Sequence, residues 1–165
     1  SDTVAQFSLS TNFDISSATP PASATFSVAA QEGTLCSVFF KPDGTKMYVC
    51  GTAQDTVFQY SLSTAYDVST ASYDSLSLNV SAKEANARSI YLSPDGTYLL
   101  VGGSTSDSIH GYSLSSAWDV SSASFVASFS MKSQESDLNA IWFSSSGSKA
   151  FGLGLVNDTV YQYSI

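Results

Sequence analysis

Three glutamates recur at nearly constant spacing: Glu32, Glu84 and Glu135, in the contexts QEGTLC, KEANAR and QESDLN, each ten residues ahead of a turn. A ring of carboxylates at one end of a repeated fold would suit a cation or a polyhydroxylated ligand, with Asn86, Arg88, Asp137 and Asn139 as variable neighbours. The same residues would serve as structural clamps if each carboxylate accepted backbone N–H bonds from an adjacent repeat. Phe13, Tyr66 and Trp118 also share one loop position. Their rings could stack on sugars or pack between repeats. His110 is the only histidine, and there is no Cys-x-x-Cys pair, so no zinc site and no cofactor is expected. No G-x-S-x-G elbow accompanies the abundant serines, and capping a surface strand is the plainer role for His110.

Cys36 and Cys50, the only cysteines, flank Pro42-Asp43-Gly44. If that turn closes Lys41 on Thr45, Cys36 falls opposite Cys50 at a non-hydrogen-bonded site. Facing Cα atoms there lie about 4.5 Å apart, within reach of a disulfide in an oxidising compartment. A bulge would shift the register by one and leave two separate thiols.

The elements that must position these residues are repeats. DTVFQYSLSTAYDVSTASY from Asp55 returns as DSIHGYSLSSAWDVSSASF from Asp107. It is anticipated by DTVAQFSLSTNFDISSAT from Asp2 and cut short as DTVYQYSI from Asp158. A period of roughly 50 residues built of short strands is the mark of a β-propeller blade, which must stack on its neighbours to bury its faces. The repeats run approximately 1–30 (a partial blade), 31–81, 82–133 and 134–165 (a second partial blade). Within each, an inner apolar strand leads through Pro-Asp-Gly, or Ser145-Ser146-Gly147 in the last copy, into a second strand; the glycine takes a left-handed position. An alternating third strand and an outer strand follow. The Asp55 and Asp67 columns read as turn residues whose carboxylates accept backbone N–H groups. Without a 3.6-residue apolar stripe anywhere, the chain reads as all-β and free of helices.

Composition narrows the function classes. Charged residues make up 12% of the chain, about half the usual share, while hydrophobic residues reach 43%. That balance opposes disorder. The net charge of −8 rests on only six scattered basic residues, which disfavours nucleic acid and anionic membrane surfaces as partners. No stretch is long and apolar enough to span a membrane, and Ser1 opens on no signal-peptide pattern. A Ser/Thr-rich, acidic surface suits an extracellular, virion or cell-surface setting.

Counting strands by position gives three inner, three second, four third and three outer strands. Three blades cannot close a ring, because propellers close with about four to eight, and open sheet edges invite pairing. A six-bladed homodimer is the simplest closed solution. Its last blade would take an outer strand from residues near Ala24–Ala29 of the other chain, leaving a surplus third strand at either residues 3–10 or 159–165. A piece of a longer array, or head-to-tail addition, would also satisfy the count.

The pattern S-P-D-G-x-x-(L/M)-(Y/L)-V, a short Asp loop and then V-x-x-(Y/F)-x-L-S resembles the YVTN-type and NHL-type propeller repeats of surface and secreted proteins. The LST-x-(Y/W)-D-(V/I)-S-(S/T)-A segment is similar to Ser/Thr-rich repeats of phage and bacterial surface or structural proteins. The Gly-His and Trp-Asp markers of WD repeats are missing. The resemblance implies a propeller over the whole chain and leaves function open, because the fold hosts enzymes, lectins and scaffolds. The expectation is a non-enzymatic binding or structural module, lectin-like or protein-binding. Its ligand site would draw on Glu32, Glu84, Glu135, Arg88, Asn86, Trp118 and Tyr66. The rival classes are a hydrolase or lyase with its site in the central funnel, and a purely architectural subunit of a particle or filament.

Overall fold

A computed structural model describes residues 2–165, and its strands form four antiparallel sheets. Blade I is a pair, β1 (Thr3–Gln6) with β2 (Ala24–Ser27). Blade II is a complete meander of β3 (Leu35–Phe40), β4 (Lys46–Gly51), β5 (Thr56–Leu62) and β6 (Ala71–Asn79). Blade III repeats it with β7 (Ala87–Leu92), β8 (Tyr98–Gly103), β9 (Ser108–Leu114) and β10 (Ala123–Ser130). Blade IV has only β11 (Leu138–Phe143), β12 (Lys149–Gly154) and β13 (Val160–Ser164). The strands thus occupy the positions that the repeat assigns, with the first two missing from blade I and the outer one missing from blade IV.

Each seam between blades has its own apolar core, because both faces of a central blade must be covered. Val49, Phe58, Tyr60 and Val68 pack against Val4 and Val28 at the I–II seam. Tyr48, Val57, Ile90, Leu99, Val101 and Tyr112 fill the II–III seam, and Ile109, Met131, Leu138, Ile141 and Phe143 the III–IV seam.

The inner hairpins differ from the expected register. Gly44, Gly96 and Gly147 do take left-handed φ, 73°, 71° and 72°. The turn, however, closes Lys41 on Lys46, whose carbonyl accepts the Lys41 N–H at 3.0 Å. The one-residue excess is absorbed by a bulge, so that Leu35 faces Gly51 but Ser37 faces Cys50. Cys36 is the bulged residue and stands exposed, Cys50 is buried, and both are free thiols. The disulfide expectation is therefore corrected. Arg88 and Asn139 occupy the same bulge in blades III and IV, so the blade geometry itself parts the pair. Burial pushes the Cys50 thiol far above its ordinary range and leaves it a small core hydrophobe.

The all-β reading holds, with no α-helix among the described residues, and the loops between third and outer strands add only single 3-10 turns. Asp14, Asp67 and Asp119 each cap a single 3-10 turn, Ile15–Ser17, Val68–Thr70 and Val120–Ser122. Their carboxylates accept the N–H of Ser16, Ser69 and Ser121 at 2.9, 3.0 and 2.9 Å, which is the turn chemistry expected of that column.

Candidate functional site

The three glutamates are the most repeated polar feature of the molecule, and all are fully buried. Each sits in the loop feeding an inner strand and holds the loop that follows the second strand of the same blade. Glu32 accepts N–H bonds from Thr34, Ala53 and Gln54 at 2.8, 3.0 and 3.2 Å. Glu84 repeats this with Asn86, Thr105 and Ser106, and Glu135 with Asp137, Val156 and Asn157. Gly51, Gly103 and Gly154 make room, since a Cβ at any of them would press into the glutamate side chain and a neighbouring carbonyl. Three strong acceptor bonds per carboxylate offset its burial. The expected ligand ring of Glu32, Glu84 and Glu135 is thus corrected to a set of clamps, acting within each blade rather than between blades.

Links between blades come from other columns. Asp2, Asp55 and Asp107 each accept an N–H from the next inner strand, at Leu35, Ala87 and Leu138, at 3.3, 3.2 and 3.3 Å. Gln6 and Gln59 accept the N–H of Val68 and Val120 in the following blade. Ser37 and Ser89 accept those of Ile90 and Ile141. Asp158 and Gln162, the last members of their columns, make no side-chain hydrogen bond among the described residues and are exposed.

The other candidate binding residues are likewise engaged. Arg88 pairs with Asp137 across the III–IV seam at 2.7 Å, and this neutralises the cation a ligand would need. Asn86 sits half-buried beside it, its Oδ1 buried without a partner among the described residues. Asn139 lies half-buried in its bulge. Tyr66 and Trp118 adopt left-handed φ of 60° and 66° and lie over the turn glycines Gly44 and Gly96. The backbone carbonyl of Trp118 accepts the Tyr48 hydroxyl at 2.8 Å, and the Lys41 ammonium sits 5.7 Å from its ring centroid. These rings are joints between loop, turn and neighbouring blade. Trp118 is half-buried, while Tyr66 keeps 49% of its surface exposed.

His110 is buried within a directed chain. Glu84 can only accept, so Ser106 donates to its Oε2 at 2.6 Å. The Ser106 oxygen then receives the His110 Nε2–H at 2.8 Å, and Nδ1 accepts the Ser128 hydroxyl at 2.7 Å. That order requires a neutral imidazole. Burial lowers the His110 pKa below its ordinary value, against the opposing pull of Glu84. Sequence reading missed this chain, because Ser106 and Ser128 are unremarkable until the strands pair. Among the described residues no cluster of His, Cys, Asp or Glu could hold a metal ion, and no helix is long and apolar enough to cross a membrane.

A cleft of about 500 Å³ lies at the III–IV seam, between Tyr91, Pro94, Tyr98 and Leu100 on one side and Phe143 and Gly147 on the other. Its exposed surface is mostly apolar, with Ser93, Asp95 and Ser144 to Ser146 at its rim and Ile165 also lining it, and it was not legible in the sequence.

No protein-family model and no curated protein matches the chain. Solved structures do. A Bacteroides uniformis protein described as a "putative 6-phosphogluconolactonase" matches at TM-score 0.68 and 15% identity, over 99% of this chain and 48% of its own. A Bacteroides fragilis protein of the same description matches at TM-score 0.67 and 16% identity, over 99% and 45%. The Cps50 (Swd1) β-propeller domain from Myceliophteria thermophila matches at TM-score 0.57 and 11% identity, over 79% and 38%. The chain spans about half the length or less of these structures, and at such identities the likeness is one of fold alone: the chain has the β-propeller fold.

Proposed function

We propose that this chain is a non-enzymatic, architectural β-propeller module that completes itself by association with a second copy, displayed on a cell or particle surface. The observation that carries the reading is a division of labour. The repeated polar side chains hold backbone within or between blades, whereas the open ends of the array carry exposed apolar side chains: Phe13, Ile15, Val38, Trp142 and Val160. Exposed apolar clusters on an otherwise polar surface mark interaction sites. The low charge and abundance of Ser and Thr support the surface setting, and a protein or carbohydrate ligand would then be met by the assembled ring. Native mass spectrometry tests the reading: the expected mass is twice the 17.4 kDa of one chain, and a single chain at all micromolar concentrations would overturn it.

One observation favours a second reading, a hydrolase. The Glu84–Ser106–His110 chain leaves Nδ1 as the acceptor of the Ser128 hydroxyl, the posture of a general base beside a nucleophile. Labelling by a fluorophosphonate that is lost in Ser128→Ala would support this reading; no labelling would remove it.

A further inference from the structure

In blade III, the loop Trp118–Val120 lies against blade II. Val120 is fully buried and donates its N–H to Gln59 Oε1 at 3.1 Å, while Trp118 covers Gly96. In blade II, Tyr66–Val68 does the same against blade I, with Val68 bonded to Gln6 at 3.0 Å and Tyr66 over Gly44. Blade IV has the turn but not the loop. A Cβ at Gly147 would meet nothing within 4 Å, and the cleft of about 500 Å³ opens beside it. Blade I has the loop but not the turn: Phe13 is 101% exposed and Ile15 80%.

We infer that the III–IV cleft is the receptor for the Phe13–Ile15 loop of a second copy of this chain, with Phe13 seated on Gly147 and Ile15 buried where Val120 is buried in blade III. This inference rests on the self-completing reading above. The side chains around the cleft are changed to suit that occupant. The Tyr48 position is Leu100 in the cleft wall, and the Gln59 position is Gly111 in an adjoining hollow of about 230 Å³ that shares Leu100 and Phe143 with it, so a polar wall becomes smaller and apolar. The loop it would receive carries Ile15 where the others carry valine. A larger apolar residue thus meets a roomier apolar site.

The next face of blade IV is matched in the same way. Rings near the inner strands form a ladder, Phe39 to Tyr91 at 5.7 Å and Tyr91 to Trp142 at 5.3 Å. Trp142 is 62% exposed and would meet Phe39 of the second copy. Within the chain, small residues receive isoleucines: Cys50 shares a core with Ile90, and Gly102 would admit no Cβ without striking Ile141. At the open face Leu153 stands at the small position and Val38, shorter by a methylene, at the isoleucine position, so the two sizes shift in opposite directions. Asp158 and Gln162 would then replace Asp2 and Gln6 on Leu35 and Val68 of the second copy. β1 must yield to β13 in the shared blade. It holds only four pairs to β2, whereas β13 has five to β12 and packs the half-buried Tyr161 and Tyr163 against the III–IV core.

Complementation of surface charges tests the joint. Leu153→Arg and Val38→Asp alter partly exposed side chains, so each chain should keep its circular dichroism melt. Each alone should weaken self-association by about 100-fold or more, the effect of forcing an unpaired charge into an apolar interface. Mixing the two should restore the species of twice the single-chain mass, because one joint then pairs Arg with Asp and the other is unaltered. Ile15→Asp should also abolish association, while Val126→Asp, on an exposed outer-strand site, should not. If the wild-type chain associates but the variants do so undiminished, or the mixture stays monomeric, the joint is overturned while self-completion stands. A wild-type monomer removes both.

Discussion

Gly96 and Gly147 occupy the same turn in neighbouring blades and share the same left-handed backbone, φ 71° and 72°. One lies beneath Trp118 and has no room for a side chain; the other faces open space. The same contrast separates the filled II–III seam from the hollowed III–IV seam, where Leu100 and Gly111 stand in for Tyr48 and Gln59. Local sequence therefore sets the turn, but whether the turn is a joint or a vacant seat depends on which outer loop reaches it.

Removing a clamp should have the largest effect on the complete blades. Glu84→Ala leaves the N–H groups of Asn86, Thr105 and Ser106 without their acceptor and should cost about 3 kcal/mol or more in chemical denaturation. Glu135→Ala should cost less, about 1–2 kcal/mol, because the open flank of blade IV lets water reach the freed groups. Equal costs would mean that blade IV is as well sealed as blade III. Alanine at the turn glycines sharpens the contrast. Gly147→Ala should cost only the left-handed strain, about 1–2 kcal/mol, while Gly96→Ala adds a clash with Trp118 of about 1–3 kcal/mol. In the associated form the difference should shrink as Phe13 arrives.

The smallest effect is a pH dependence confined to blade III. Because His110 has a lowered folded pKa, the unfolded chain takes up a proton that the folded one refuses. Stability is then held above pH 6.5 and falls as pH drops below it, by at most about 1.4 kcal/mol per pH unit. His110→Phe, which restores the aromatic found at the matching positions Phe58 and Tyr161, should flatten urea midpoints between pH 5 and 7. An unchanged slope would mean that His110 titrates alike in both states.

Much of the frame was legible in the sequence. Strand order, the turn glycines and the capping role of Asp67 and Asp119 follow from local chemistry repeated at fixed spacing. The bulge at Cys36 was not legible, because a four-residue turn and a one-residue slip compensate each other and leave no trace in the apolar alternation. The clamp role of Glu32, Glu84 and Glu135 stood open in the sequence beside the ligand reading, and the glycines Gly51, Gly103 and Gly154, which recur in step and signal a close approach, could have decided between them. The chain through Ser106, His110 and Ser128 depends on cross-strand pairing, and the cleft depends on a missing outer loop. Neither has a local signature, although Gly111, which breaks the Gln6, Gln59 and Gln162 column, marks the hollow beside the cleft.

Hydrogen exchange read by mass spectrometry, at concentrations above and below association, tests the matched ends most directly. Protection should rise on association in two separate peptides at once, one spanning Phe13–Ile15 and one spanning Gly147, with no change around Gly96 and Trp118. Protection that ignores concentration, or that rises away from both ends of the array, would contradict the account.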